Sequence, residues 1–218
     1  MFLILGLMNT PTDIVLVSAP QKFNDRIEIE GGKVIYIDTT YKPDHHVSIK
    51  GIVEAVPRRL THNHYWHKGM EMELQEGDEV YFHYLTIDAT NLWYAEEKEV
   101  YQTEYFNIFA YKRGDGPLTM TANWCLVEPV EQEHKFKSTL DLIVPDAYKK
   151  VRNYKVGKLR HIGKPLKHAP TLDVAAGDYV IFGKDADFEN EIEGEVFYTM
   201  QQEELLATLP EECILSLS

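Results

Sequence analysis

Short apolar runs alternate with polar punctuation along most of the chain. Asp13-Ile14-Val15-Leu16-Val17, Gly51-Ile52-Val53-Glu54-Ala55-Val56 and Gly77-Asp78-Glu79-Val80-Tyr81-Phe82 are plain examples. Val, Ile, Tyr and Phe in short runs, bounded by Gly, Pro, Asn and Asp, read as strands of a sandwich or barrel. The best helical candidate, Gln201 to Leu206, spans about a turn and a half at 3.6 residues per turn. Strand–helix–strand alternation is missing, which argues against a parallel α/β sheet. The pattern predicts an all-β chain.

The same pattern occurs twice. Gly77-Asp78-Glu79-Val80-Tyr81-Phe82 returns as Gly177-Asp178-Tyr179-Val180-Ile181-Phe182. Its neighbours return in the same order: Asp13 to Val17 as Asn123 to Val127, and Gly51 to Val56 as Gly157 to Ile162. Further on, Glu99-Val100-Tyr101 matches Glu195-Val196-Phe197, and Ile108-Phe109-Ala110 matches Leu205-Leu206-Ala207. The offset mostly shrinks along the unit, as unequal loops would make it do. The main deletion separates Pro57–Gln75 from the shorter Gly163–Ala175. Self-similarity on this scale marks a repeated structural unit. The domain reading is an apolar extension over 1–9, a first β-barrel over 10–113, a turn-rich linker over 114–119 and a second β-barrel with its tail over 120–218.

Composition narrows the functions. The chain has 218 residues and a formal charge of −13, which disfavours nucleic acid as a partner because phosphate backbones repel it. Two cysteines, Cys125 and Cys213, cannot build a disulfide framework or a four-thiolate zinc site. They fit a reducing, cytosolic compartment. Phe2-Leu3-Ile4-Leu5 has no basic flank and is too short to span a bilayer; the expectation is a segment packed on the protein, with no membrane partner. Acid runs against this background make one stretch stand out: 131–167 carries ten Lys and Arg against four Asp and Glu. That is either a solvated loop or a docking surface for an acidic partner.

The second copy, with its Gly-Asp-x-Val-x-Phe strand and then Glu195-Val-Phe-Tyr-Thr-Met-Gln-Gln-Glu-Glu-Leu-Leu-Ala207, resembles the C-terminal half of the GroES-like co-chaperonins, the chaperonin-10 family. A first strand, a long polar loop with an apolar tip and a Gly-led strand complete the family order in both copies. The first copy departs from it, being longer at Ile87–Ala95 and extended at Thr39–Lys50. The resemblance implies two tandem GroES-like, partly irregular β-barrels. It implies a ring of such chains capping a GroEL-type chaperonin, as a co-chaperonin assisting ATP-dependent folding. The cap would be no enzyme and would hold no cofactor, since the chaperonin partner uses the ATP. Seven chaperonin sites do not divide evenly among two-domain chains. The resemblance therefore allows two stacked rings, or one ring with an unpaired domain.

In this family a mobile loop carries a short aliphatic tip to the chaperonin. By resemblance, the tips here are Leu142-Ile143-Val144, followed by Pro145, and Val34-Ile35-Tyr36-Ile37, after Gly31-Gly32. Both runs also read as ordinary buried strands; their place inside polar stretches, at one station of each copy, favours the tip. Polar flanks Glu131–Ser138, Tyr148–Tyr154 and parts of Gln21–Gly32 are expected to be mobile, having little to bury. The resemblance also implies that the last strand of one unit pairs with the first strand of its neighbour. That assigns the subunit interface to Ile108, Phe109, Leu205 and Leu206 against Val15 and Leu126.

Other constellations carry less. His62, His64 and His67, with His45-His46, form a His-x-His pattern able to ligate a metal, but the run has no acidic or thiol ligand, and no metal is expected. By resemblance it forms the dome's roof, with Tyr65 and Trp66. There is no Gly-x-Gly-x-x-Gly, Gly-Lys-Ser/Thr or Gly-x-Ser-x-Gly motif, and no catalytic residue is assigned. The zinc alcohol dehydrogenases share a GroES-like catalytic domain, yet they need a dinucleotide-binding domain where this chain has a second β copy. Glu96-Glu97 and Glu203-Glu204 read as solvated faces, and Cys125 as a core thiol. A structural ring or virion-associated module that keeps the fold without chaperonin binding is the alternative. The expected location is cytoplasmic, with a viral or organellar origin left open.

Overall fold

A computed structural model describes residues 10–19, 26–29, 33–36, 47–60, 70–94, 98–133, 150–167, 169, 171–183, 186 and 188–215. The chain divides into two compact units, Met1–Thr121 and Ala122–Ser218. The first contains β1 (Ile14–Ser18), β2 (Arg26–Ile29), β3 (Lys33–Tyr36), β4 (Lys50–Ala55), β5 (Glu79–Phe82), β6 (Leu92–Tyr94), β7 (Val100–Glu104), β8 (Ile108–Lys112) and β9 (Thr119–Met120). The second contains β10 (Trp124–Glu133), β11 (Lys150–Ile162), β12 (Tyr179–Phe182), β13 (Glu189–Ile192), β14 (Glu195–Gln201), β15 (Leu205–Leu209) and a short helix, α1 (Glu211–Leu215). Every strand pairing described is antiparallel, and the fold is all-β.

The first unit's main sheet runs β6-β7-β1-β4-β5-β8-β9, with β2 and β3 forming a separate hairpin. The second runs β13-β14-β10-β11-β12-β15. The two orders correspond strand for strand, with β9 added at one end of the first. Among the described residues neither sheet closes on itself, so the barrels expected from the sequence are open, bulged sheets.

The correspondence reaches individual hydrogen bonds. A bulge falls between Leu16 and Val17 where β1 meets β4, and another between Leu126 and Val127 where β10 meets β11. A second pair of bulges lies at Tyr81/Phe82 and Ile181/Phe182. The amide of Tyr105 donates to the Asp13 carbonyl at 2.8 Å, and that of Gln202 to the Asn123 carbonyl at 2.8 Å. The pairing also corrects one register in the sequence reading. Val17 faces Tyr101 and Val127 faces Tyr198, so Tyr101 answers to Tyr198 rather than to Phe197. A one-residue slip sends every side chain to the wrong face, and both tyrosines are buried in their cores.

Close backbone approach explains the glycine that opens each Gly-led run. A Cβ on Gly51 would lie 2.6 Å from the Ser18 carbonyl oxygen, and one on Gly157 2.6 Å from that of Glu128, besides striking the Val127 methyl Cγ1. Phe82, Val53, Val80 and Tyr101 pack over one face of the first sheet. Phe182, Leu159, Val180 and Tyr198 do so over the second.

Two expectations change. Gln201–Leu206 is no helix: β14 ends at Gln201, Gln202–Glu204 makes one 3-10 turn, and β15 begins at Leu205. The turn stays tight because Gln202 is buried and its Nε2 donates to the Gly163 carbonyl at 2.9 Å. The polar flanks 131–133 and 150–154 are strand, not loop, paired from Glu131↔Arg152 to Glu133↔Lys150. Arg26–Ile29 is likewise strand. A two-stranded ladder needs backbone partners but no apolar face, so its sequence reads like a loop. The intervening 134–149 lies outside the described residues.

Two predictions follow from the packing. Gly157→Ala should lower the second unit's stability by about 1–3 kcal/mol, the usual range for forcing an extra methyl into a packed site, read as a fall in the urea midpoint. Native thiol labelling should modify Cys213, which is exposed, and spare Cys125, which is buried. Burial first, and then the Glu203 charge, push the Cys125 thiol well above its ordinary value, so little reactive thiolate forms. Cys125 should react only as the protein unfolds, which peptide mapping of the labelled chain would show.

Candidate functional site

The β2–β3 hairpin is the one place in the described chain where consecutive large apolar side chains lie open. Its register is Arg26↔Tyr36, Ile27↔Ile35, Glu28↔Val34 and Ile29↔Lys33. Val34 is 39% exposed, Ile35 50% and Tyr36 76%. Successive side chains on a strand point to opposite faces, so exposure of all three means that neither face of β3 is packed. A hairpin apart from any larger sheet is marginal in water, and contiguous exposed apolar surface is the kind of feature that interaction sites use. Ile37 lies outside the described residues, as do Leu142, Ile143 and Val144.

The other expected interface residues sit elsewhere than the sequence implied. Val15 and Leu126 are fully buried, as are Ile108, Phe109 and Leu205. β1 is paired on both edges, by β7 and β4, and β10 by β14 and β11. A central strand has no free edge to offer a neighbour, so the pairing assigned to Val15 and Leu126 cannot be made there. Of the set, only Leu206 is exposed, at 61%.

The edge that matters is the far side of β8. It is covered by β9, through Ala110↔Met120 and Tyr111↔Thr119. Thr121 extends the cover: its amide donates to the Phe109 carbonyl at 2.9 Å, and its hydroxyl bonds the Ile108 and Phe109 carbonyls. In the second unit β15 occupies the position of β8, and among the described residues no strand pairs with its outer edge. An uncovered edge is a template for another chain. The sequence hid this because β9 is only two residues long and straddles the boundary read between linker and second barrel.

A second feature missed in the sequence is an ion pair. Arg113, the last residue of the first barrel as read from the sequence, grips Asp78 with Nε on Oδ1 and Nη2 on Oδ2, both at 2.8 Å. The hydrogen bonds to Asp78 hold the guanidinium proton more tightly than usual, with the charge of Asp78 adding to them. Among the described residues no three His, Cys, Asp or Glu side chains are grouped to hold a metal. His45, His46, His62, His64 and His67 lie outside them. No helix among the described residues is long and apolar enough to cross a membrane.

No curated protein matches the chain. Residues 117–209 match the family model described as the chaperonin 10 Kd subunit. That span runs from the residues before β9 to the end of β15, so the second unit is similar to the chaperonin-10 co-chaperonins.

Proposed function

We propose that this protein is a tandem co-chaperonin, a non-enzymatic cap that docks on a GroEL-type chaperonin and assists ATP-dependent folding in the cytoplasm. The chaperonin would hydrolyse the ATP, and the cap would need no cofactor. The observation that carries this reading is the open apolar face of Val34, Ile35 and Tyr36, at the station where the family presents its docking tip. Support comes from the family match in the second unit and from the recurrence of that unit's strand order, bulges and turns in the first, which argues for a second copy of the same domain.

An aliphatic tip suits a reversible cap. Burying one Ile or Val is worth about 1.5–3 kcal/mol, and a tip already held on a hairpin loses less entropy on docking than a free loop. Single tips bind weakly, yet several on one ring raise each other's effective concentration. Release then follows once the partner changes shape. Leu142, Ile143 and Val144 would supply the second copy's tip.

We also propose that a second copy of the chain covers the outer edge of β15. The offset that places Asp13 on Asn123 places Asn9-Thr10 on β9. The natural occupant is therefore the segment just ahead of β1 in another chain. Such pairing is head-to-tail and closes into a ring if the rotation allows.

Ile35→Ser should leave the melting temperature within a degree or so, because Ile35 is exposed and packs against little, and the role proposed for Ile143 predicts the same of Ile143→Ser. Both should sharply reduce nucleotide-dependent capture by a GroEL-type chaperonin, Ile143→Ser the more. Wild-type protein that forms rings by negative-stain imaging but never captures a chaperonin would replace this reading with the structural-ring alternative. Leu206→Asp should break the oligomer in sedimentation velocity while leaving the far-ultraviolet spectrum unchanged. Unchanged sedimentation would remove the β15 edge from the interface.

A further inference from the structure

We propose that the second unit carries a binding site for an arginine guanidinium at the Gly177-Asp178 turn, filled by an arginine side chain of a partner protein. The first unit shows what such a site holds. At the corresponding turn, Asp78 Oδ2 accepts the Gln75 amide at 2.8 Å. Arg113 forks onto both carboxylate oxygens, and its Nη2 also donates to the Glu73 carbonyl at 3.0 Å. The guanidinium lies 5.5 Å from the Tyr111 ring. So covered, Asp78 is only 2% exposed.

The second unit rebuilds the turn without the arginine. Asp178 Oδ2 accepts the Ala175 amide at 2.9 Å, so its carboxylate is tethered as Asp78's is. The Gly177 amide donates to the Leu159 carbonyl as the Gly77 amide does to Val53. Ala110 faces Tyr81 and Ala207 faces Ile181, and three residues on from each stand Arg113 and Pro210. Proline brings no donor. Asp178 is exposed, and a surface cavity of about 530 Å³ opens beside it, lined by Asp173, Asp178, Leu209, Pro210 and Glu211. Asp173 stands where Glu73 supplies the carbonyl for the third bond.

A preset fork acceptor, Asp178, with two further carboxylates, Asp173 and Glu211, beside it selects a planar cation over a point charge. Lys158 also lines the cavity, with its ammonium 5.2 Å from the Tyr179 ring; it forms no ion pair with Asp178 among the described residues and acts as a competitor. Free arginine adds a charged α-ammonium and α-carboxylate beside its guanidinium, whereas the occupant in the first unit, Arg113, is a residue within a polypeptide that brings neither. This site is independent of the apolar tip and of the chaperonin reading.

The test titrates the full chain, labelled with ¹⁵N, with Nα-acetyl-L-arginine amide, its lysine counterpart and free L-arginine. The Gly177 and Asp178 amide signals should shift saturably with the arginine amide, at least roughly tenfold more tightly than with the lysine amide, since only the guanidinium can fork. Asp178→Asn should abolish the response, and Lys158→Met should strengthen it. Pro210→Arg should also abolish it, by filling the cavity from within as Arg113 does in the first unit. No saturable shift, equal response to lysine, or binding that survives Pro210→Arg overturns the site. Tighter binding of free arginine than of the amide overturns the protein partner.

Discussion

Each unit rests on one close crossing of backbones. Where β4 passes β1, and β11 passes β10, a glycine lies against a carbonyl of the partner strand, that of Ser18 or Glu128. No side chain fits between them. Beside each crossing, a bulge absorbs the extra residue that the bend requires. Together they leave a single register for the central pair. Everything outward follows from that register: Val15, Val17 and Tyr101 enter one core, and Cys125, Val127 and Tyr198 the other.

The second fixed point is the Gly-Asp turn that leads into β5 and β12. Gly77 has φ 87° and Gly177 φ 105°, a region where a Cβ is strained. The turn's amides and carbonyls bond back to Val53 and Leu159, which ties the next strand to the central one. With two such constraints the frame tolerates differences in what it displays. At one cross-strand position the first unit has Ser18 donating to Glu54 at 2.6 Å, and the second has Arg160 donating to Glu128 at 2.7 Å. Ser18 is buried, whereas the Arg160–Glu128 pair is exposed and contributes little to stability, so this position changes character while the frame repeats.

That division is what the proposed cap would need. The frame leaves the outer edge of β15 unpaired among the described residues, and Val34, Ile35 and Tyr36 are exposed rather than part of their own unit's core. In the proposed reading, the apolar surface of those three residues would be available to a partner at little expense to folding.

Much of this was legible in the sequence. Period-two alternation gave the all-β class, because a half-buried strand must alternate. The doubled Gly-Asp turns and Gly-led strands gave the repeat, because those backbone positions admit few other residues. The run Val34-Ile35-Tyr36 could be located, but whether it is exposed or buried could not, since composition does not say whether a run has a neighbour. Tertiary pairing decided that. It also decided that β1 and β10 are central and so closed to partners, that Tyr101 answers to Tyr198, and that Thr119-Met120, at the boundary read between linker and second barrel, cover an edge. Arg113 is the clearest case. Its grip on Asp78 spans 35 residues of chain, and no local pattern records a contact that exists only once β5 and β8 lie side by side.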